Sequence, residues 1–257
     1  MLKVRVIPTI LWKNECVVKG IGFDSWRRIG TMIPAIKVYN TRQVDELIVV
    51  DINATDEWRE PDYAEIDNFS AECFVPLTVG GGIKNIEQVK KILRAGADKV
   101  CVNSSAFDTP EIISEIARSF GSQCAVVSID AKKINGRYKC FKNSGKIETG
   151  REAGEWAETV EKLGAGEILI TSVTRDGTME GYDIDLIKEI SSRVRIPVIA
   201  SGGAGNYDHM LSAINEGGAS AVAAASIFHF TQQTPVEAKK YLSGKGICVR
   251  NVNVRLR

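Results

Sequence analysis

The sequence predicts an α/β fold, a closed (βα)8 barrel of the TIM type built from two duplicated half-barrels, and three observations lead there. The length, 257 residues, suits the roughly 250 that such a barrel needs. Eight short β-branched runs alternate with amphipathic helical stripes, the pattern of a parallel sheet. Most telling, the chain repeats itself at a nearly constant offset.

The expected strands are Val4 to Ile10, Leu47 to Ile52, Val75 to Val79, Lys99 to Val102, Ala125 to Ile129, Ile168 to Thr171, Pro197 to Ala200 and Ala221 to Ala225. Helical stripes lie between them: Ile86, Val89 and Leu93; Ala153, Trp156, Ala157 and Val160; Leu186, Ile187, Ile190 and Val194. Each places apolar side chains on one helix face. Thr109-Pro110-Glu111 reads as an N-cap with proline at the first helical position, and Thr234-Pro235-Val236-Glu237 adds a capping-box glutamate. The repeat runs through the strands. DELIVVDINAT (45–55) lies over GEILITSVTRD (166–176), and PLTVGGGIKN (76–85) over PVIASGGAGN (197–206), both 121 residues on. GADKVCVNSS (96–105) lies over GASAVAAASI (218–227) at 122, and 6–13 over 125–132 at 119. Four segments in one order indicate one domain over 1–257, with half-barrels of about 1–122 and 123–257. Residues 132–150 break the rhythm and alternate around Asn135-Gly136, a hairpin signal in the fifth βα loop.

Composition excludes several functions. Lys and Arg total 33 against 32 Asp and Glu, so no basic surplus points to nucleic acid or to an anionic membrane. No apolar run is long enough to span a bilayer and no signal peptide is evident, so the chain reads as cytoplasmic. The six cysteines, 16, 73, 101, 124, 140 and 248, show no C-x-x-C spacing and read as ordinary buried thiols. With only His209 and His229 there is no metal-ligand spacing; neither a metal nor another cofactor is expected.

The catalytic end of such a barrel is the C-terminal face of its strands. Gly80-Gly81-Gly82 and Asn103-Ser104-Ser105 end the third and fourth strands; Gly202-Gly203 and Ala225-Ser226 are their images. Exposed backbone N–H groups, a hydroxyl and a helix start can hold phosphate without net positive charge. Recurrence at symmetric positions favours two phosphate sites over mere tight turns, and so a ligand with a phosphate at each end. Asp130 ends the fifth strand, as a general acid or base or as a structural anchor. Its image is Leu11, an alkyl group where duplication calls for a second carboxylate. Arg175-Asp176-Gly177-Thr178 can orient a substrate or simply turn the chain. Lys19 is either a mobile phosphate clamp in the long first loop or a solvated lysine.

At the opposite end, alternation puts Arg5 on the side of Leu11, Lys99 with Asn103, Glu46 with Val50 and Glu167 with Thr171. If those faces point inward, two bases and two acids meet where barrels ordinarily carry Val, Ile and Leu. Residue physics alone favours a satisfied plug over a gate, since such a ring adds little stability over apolar packing.

The segments VIPTILWKNECVVKG, DELIVVDINAT, TVGGGIKN, AGADKVCVNSSA, SIDAKK, TSVTRDGTMEGYD, IASGGAGN, AAASIFHF and the terminal NVRLR resemble, collinearly over the whole chain, the cyclase subunit of imidazole-glycerol-phosphate synthase. The resemblance implies a barrel docked by its N-terminal face on a glutaminase subunit. Ammonia then crosses the barrel to a bisphosphorylated ribulosyl-formimino nucleotide, which is cleaved and cyclised in histidine biosynthesis. By the same resemblance Gly82, Asn103 and Ser104 form one phosphate site, and Asp176, Gly177, Gly203, Ala225 and Ser226 the other, with Thr171 and Ser201 beside them. Lys19 matches a loop lysine, Arg5, Glu46, Lys99 and Glu167 an ammonia gate, and Asp98 a contact with the glutaminase.

Leu11 departs from that family, which uses aspartates at the ends of the first and fifth strands as acid and base. Loss of a positioned acid or base costs on the order of 10² to 10⁴ in rate. Trp12, Asn14, Glu15 and Cys16 also replace the usual acidic, glycine-bearing stretch. The pattern is similar to paralogues associated with sugar amidotransferases of surface-polysaccharide (lipopolysaccharide) pathways. Three readings follow: a non-cyclising barrel that passes ammonia to a third protein, placed first; a true cyclase helped by Glu15 or a water; and a structural scaffold.

Overall fold

The computed structural model describes residues 3–250; the terminal NVRLR lies outside them. Eight parallel strands close on themselves in the order β1 (Arg5–Lys13), β4 (Leu47–Asp51), β5 (Leu77–Gly80), β6 (Lys99–Val102), β7 (Ala125–Ile134), β10 (Glu167–Ser172), β11 (Val198–Ser201) and β12 (Ala221–Ala224), with β12 returning to β1. This is the expected (βα)8 barrel. Helices follow the barrel strands and cover the outside, where Val6, Val49, Ile92, Ile113, Val127, Trp156, Ile168 and Ile190 join one buried cluster. A second, smaller cluster fills the tube: Ile7, Ile48, Cys101, Val126, Leu169, Ile199, Ala221 and Ala223.

The duplication reaches the backbone conformation of the caps. Asp62 and Asp183, 121 residues apart, both cap helices with φ/ψ of −82/91° and −80/91°, each carboxylate accepting an N–H three residues on. Asn85 and Asn206 repeat the relation at −153/169° and −155/177°. Gly81 and Gly202 both have positive φ, 107° and 89°. A Cβ on Gly81 would stand 2.1 Å from the Asp51 carbonyl oxygen, and one on Gly202 2.7 Å from that of Ser172, itself the image of Asp51. Each glycine therefore lets a βα turn close over the end of the preceding strand.

Two hairpins stand on this frame. The expected one pairs β7 antiparallel with β8 (Arg137–Lys142), and β9 (Ile147–Glu152) adds to β8. Asn135 and Gly136 both have positive φ, as a type I′ turn requires. The other hairpin is a correction to the plain long first loop: β1 pairs with β2 (Cys16–Ile21), and β2 with β3 (Asp24–Gly30). Its turn is Asn14-Glu15, at φ 48° and 61°. That turn takes the place of Asn135-Gly136 in a hairpin two residues shorter on each strand, and glutamate where the other turn has glycine hides the signal.

Smaller corrections concern strand and helix ends and the thiols. β1 runs to Lys13 and β7 to Ile134 because hairpin pairing prolongs them. The helix at 111–120 starts one residue late: Pro110 takes the cap position with helical φ and no side-chain cap. The Thr234–Glu237 capping box is present as expected. Of the six free cysteines only Cys101 and Cys140 are buried; Cys248 is exposed.

Two stability measurements check the backbone argument. Glu15→Gly relieves a left-handed glutamate and should raise stability by about 0.5–1 kcal/mol in urea denaturation. Gly81→Ala adds a Cβ against a carbonyl and should lower it by about 3 kcal/mol or more.

Candidate functional site

Period-two alternation on the closing strands stacks the interior in layers. Arg5, Glu46, Lys99 and Glu167 all turn inward at the N-terminal end. Arg5 donates to Glu46 at 2.7 Å and to Glu167 at 3.0 Å. Lys99 reaches Glu46 and Glu167, both at 3.1 Å. Each base thus bridges both acids, and the four close a ring. Burial pulls the Arg5 guanidinium down, but Glu167 and then Glu46 more than offset it and the net shift is upward. Two residues further along each strand come Ile7, Ile48, Cys101 and Leu169 of the interior apolar cluster. Two more, and Thr9, Val50, Asn103 and Thr171 line the cavity in the mouth. Asp98 lies on the ring's face of the barrel; it is exposed and its carboxylate accepts the Leu77 N–H at 2.8 Å.

Asp130 is buried in the mouth. Ser128 Oγ donates to one of its oxygens and Asn103 Nδ2 to the other, each at 3.2 Å. Burial pushes this carboxyl up to about 7, against the Ser128 hydrogen bond and with a contribution from Asp176. A carboxyl poised there can give or take a proton at neutral pH. Leu11 lines the same cavity.

Lys19 is neither solvated nor free in the described structure: it is 3% exposed and its Nζ sits 2.5 Å from Asp176 Oδ2. The first hairpin brings it there by folding over the mouth. Gly22 N–H donates to the Asp176 carbonyl at 2.8 Å, and Gly177, at φ 79°, passes so close to Gly20 that a Cβ would fall 2.2 Å from its oxygen.

The two glycine cups open on this cavity. Gly82, Asn103 and Ser104 line one; Asp176, Gly177, Ser201, Gly203, Ala225 and Ser226 line the other. Asn103 and Ala225 share an unusual backbone, φ/ψ −126/−81° and −126/−67°. The helices that start there, Ser104–Asp108 and Ser226–Phe230, have five residues each. Little helix dipole is available at that length, so N–H groups and hydroxyls must carry any anion binding.

Sequence reasoning missed two residues lining the mouth. Asp51, at the end of β4, is buried, 2.7 Å from Arg59 Nη2, and accepts the N–H groups of Asn53 and Ala54 at 3.1 Å. Its strand-end place in DELIVVD was the available signal. Thr9 aims a buried hydroxyl, without a hydrogen-bond partner among the described residues, into the barrel. It corresponds to Ser128, so the duplication could have singled it out.

A closed parallel barrel with a carboxyl-bearing cavity at the C-terminal ends of its strands and a charged ring at the other end defines the class, a (βα)8-barrel protein. The chain belongs to the histidine biosynthesis protein family, whose pattern matches residues 5–234. It is 50% identical to the imidazole glycerol phosphate synthase subunit HisF of Chlorobaculum parvum and to that of Chlorobaculum tepidum, over 250 residues covering 97% of this chain and all of each relative. The same subunit of Prosthecochloris aestuarii is 51% identical over the same span. The chain is therefore HisF-like. Among the described residues no helix is long and apolar enough to cross a membrane.

The site generates two predictions. Between about pH 4 and 7 the folded state keeps an Asp130 proton that the unfolded chain releases, so this group lowers stability as pH rises through that window. Asp130→Asn should accordingly stabilise the protein by about 1–3 kcal/mol at pH 8 and hardly at all at pH 4, read by thermal melts. Arg5→Ala leaves Glu46 and Glu167 with one cation and should destabilise by about 1–3 kcal/mol in urea titration.

Proposed function

We propose that this chain is the synthase-type subunit of a glutamine amidotransferase, working with a glutaminase subunit on its N-terminal face. Ammonia enters through the Arg5–Glu46–Lys99–Glu167 ring, crosses the apolar layer and reaches the mouth. There the two cups hold a bisphosphorylated ligand, with Lys19 over it and Asp98 at the partner interface. A neutral nucleophile suits such a route: the ring must shift to admit it, and the apolar layer beyond disfavours the charged ammonium form.

Leu11 carries the finer reading. It faces the cavity from β1, across the barrel from Asp130 on β7, so of the duplicated strand-end pair only one carboxyl remains where acid and base would both be needed. Cyclisation is accordingly weak, and the ammonia passes on to a sugar amidotransferase that builds an acetamidino group of a surface polysaccharide. The alternative, a working cyclase forming imidazole glycerol phosphate and an aminoimidazole-carboxamide ribotide, draws support from the names of the relatives. It draws more from Asp130 near 7, which lets one group alternate between acid and base.

Steady-state turnover of the bisphosphate substrate with ammonium salt decides between them. The conduit reading expects a rate about 10² to 10⁴ below ordinary enzymatic values, raised at least about ten-fold by Leu11→Asp. Ordinary turnover by the unaltered chain, or rescue of a cyclase-deficient, histidine-requiring strain, establishes the alternative.

A further inference from the structure

The two cups are related by duplication, yet their serines are not in the same state. Ser104 Oγ accepts the Asn143 N–H at 3.0 Å and lies 3.4 Å from Asn103 Oδ1, to which it donates. Asn143 belongs to the β8–β9 turn, where Asn143, Ser144 and Gly145 all have positive φ, 52°, 53° and 73°. That turn is clamped: Lys132 Nζ donates to the Gly145 carbonyl at 2.7 Å, Ser144 Oγ to that of Ile52 at 3.3 Å, and Lys146 pairs with Asp56. Ser226, the image of Ser104, is 5% exposed, lines the cavity, and its Oγ has no hydrogen-bond partner among the described residues. Nearby, Lys19 already neutralises Asp176, so the carboxylate of that cup does not meet an anion uncompensated.

We propose that the cups fill in a fixed order: an anionic phosphate group enters the Gly177–Gly203–Ser226 cup first and more tightly, and the Gly82–Ser104 cup second. The inference rests on the reading above that both cups take phosphate. Its physical basis is the cost of a buried, unmade hydrogen bond. Phosphate oxygen gives the Ser226 hydroxyl the partner it lacks, whereas at Ser104 it must draw the hydroxyl away from contacts it already has. A bisphosphorylated ligand would then anchor by one end before the other, so its direction in the mouth is set by the first contact.

Inorganic phosphate titrated into the full chain, followed by calorimetry and by crystals soaked at graded concentrations, tests the order. Two events at least about ten-fold apart in affinity are expected, with density appearing first against Ser226. Ser226→Ala should weaken the tighter event by about ten-fold, while Ser104→Ala weakens the other by less than about three-fold. The melting temperature serves as a folding control: it should hold in Ser226→Ala, which deletes an unpaired hydroxyl, and fall in Ser104→Ala, which releases Asn143. Equal affinities, density first at Ser104, or equal losses from the two variants would overturn the order while leaving the cups in place. Absence of phosphate from both cups at millimolar concentrations would overturn the phosphate reading itself.

Discussion

Closure of eight parallel strands into a tube makes every second side chain an interior one, and the candidate machinery follows from that constraint. Positions 5, 7 and 9 of β1 supply in turn a ring charge, an apolar plug and a mouth hydroxyl. β4, β6 and β10 repeat the sequence from Glu46, Lys99 and Glu167, ending on Val50, Asn103 and Thr171. A shift of one residue in any of these strands would send its charge into the helix-facing core and break the column. The ring itself is weak evidence of stability, because desolvating four charges consumes most of what their pairing returns.

The mouth shows the same economy of means. One burial effect raises Asp130 to about 7, and the same enclosure keeps Lys19 against Asp176. The Lys19 contact depends on the first hairpin folding over the barrel end, where Gly177 allows backbone to approach backbone. The second hairpin, its duplicated counterpart, reaches the opposite cup through Asn143. The two hairpins thus differ at their tips, and that difference separates Ser104 from Ser226.

Much of this was legible in the chain because the relevant signals are local or periodic. Strand alternation, the offset near 121 residues and the Asn135-Gly136 turn each report geometry that neighbouring residues impose on one another. The first hairpin escaped notice because its turn uses Glu15 at positive φ, a conformation that residue type does not announce. Asp51 escaped because a carboxylate at a strand end carries no mark of the Arg59 that holds it.

Sequence alone determined the fold class, the duplication, the strand face that each of Arg5, Glu46, Lys99 and Glu167 shares with a mouth position, and the substitution of an alkyl group for a carboxyl at Leu11. Tertiary structure decided which of these groups meet. That the four charges close a ring, that Lys19 is buried against Asp176, and that Ser226 lacks the partner Ser104 has are facts about residues up to 162 positions apart. The division has a physical reason. Backbone periodicity is set by each residue and its neighbours, whereas desolvation, pairing and hydrogen-bond satisfaction depend on which distant side chains the closed barrel brings within a few ångströms.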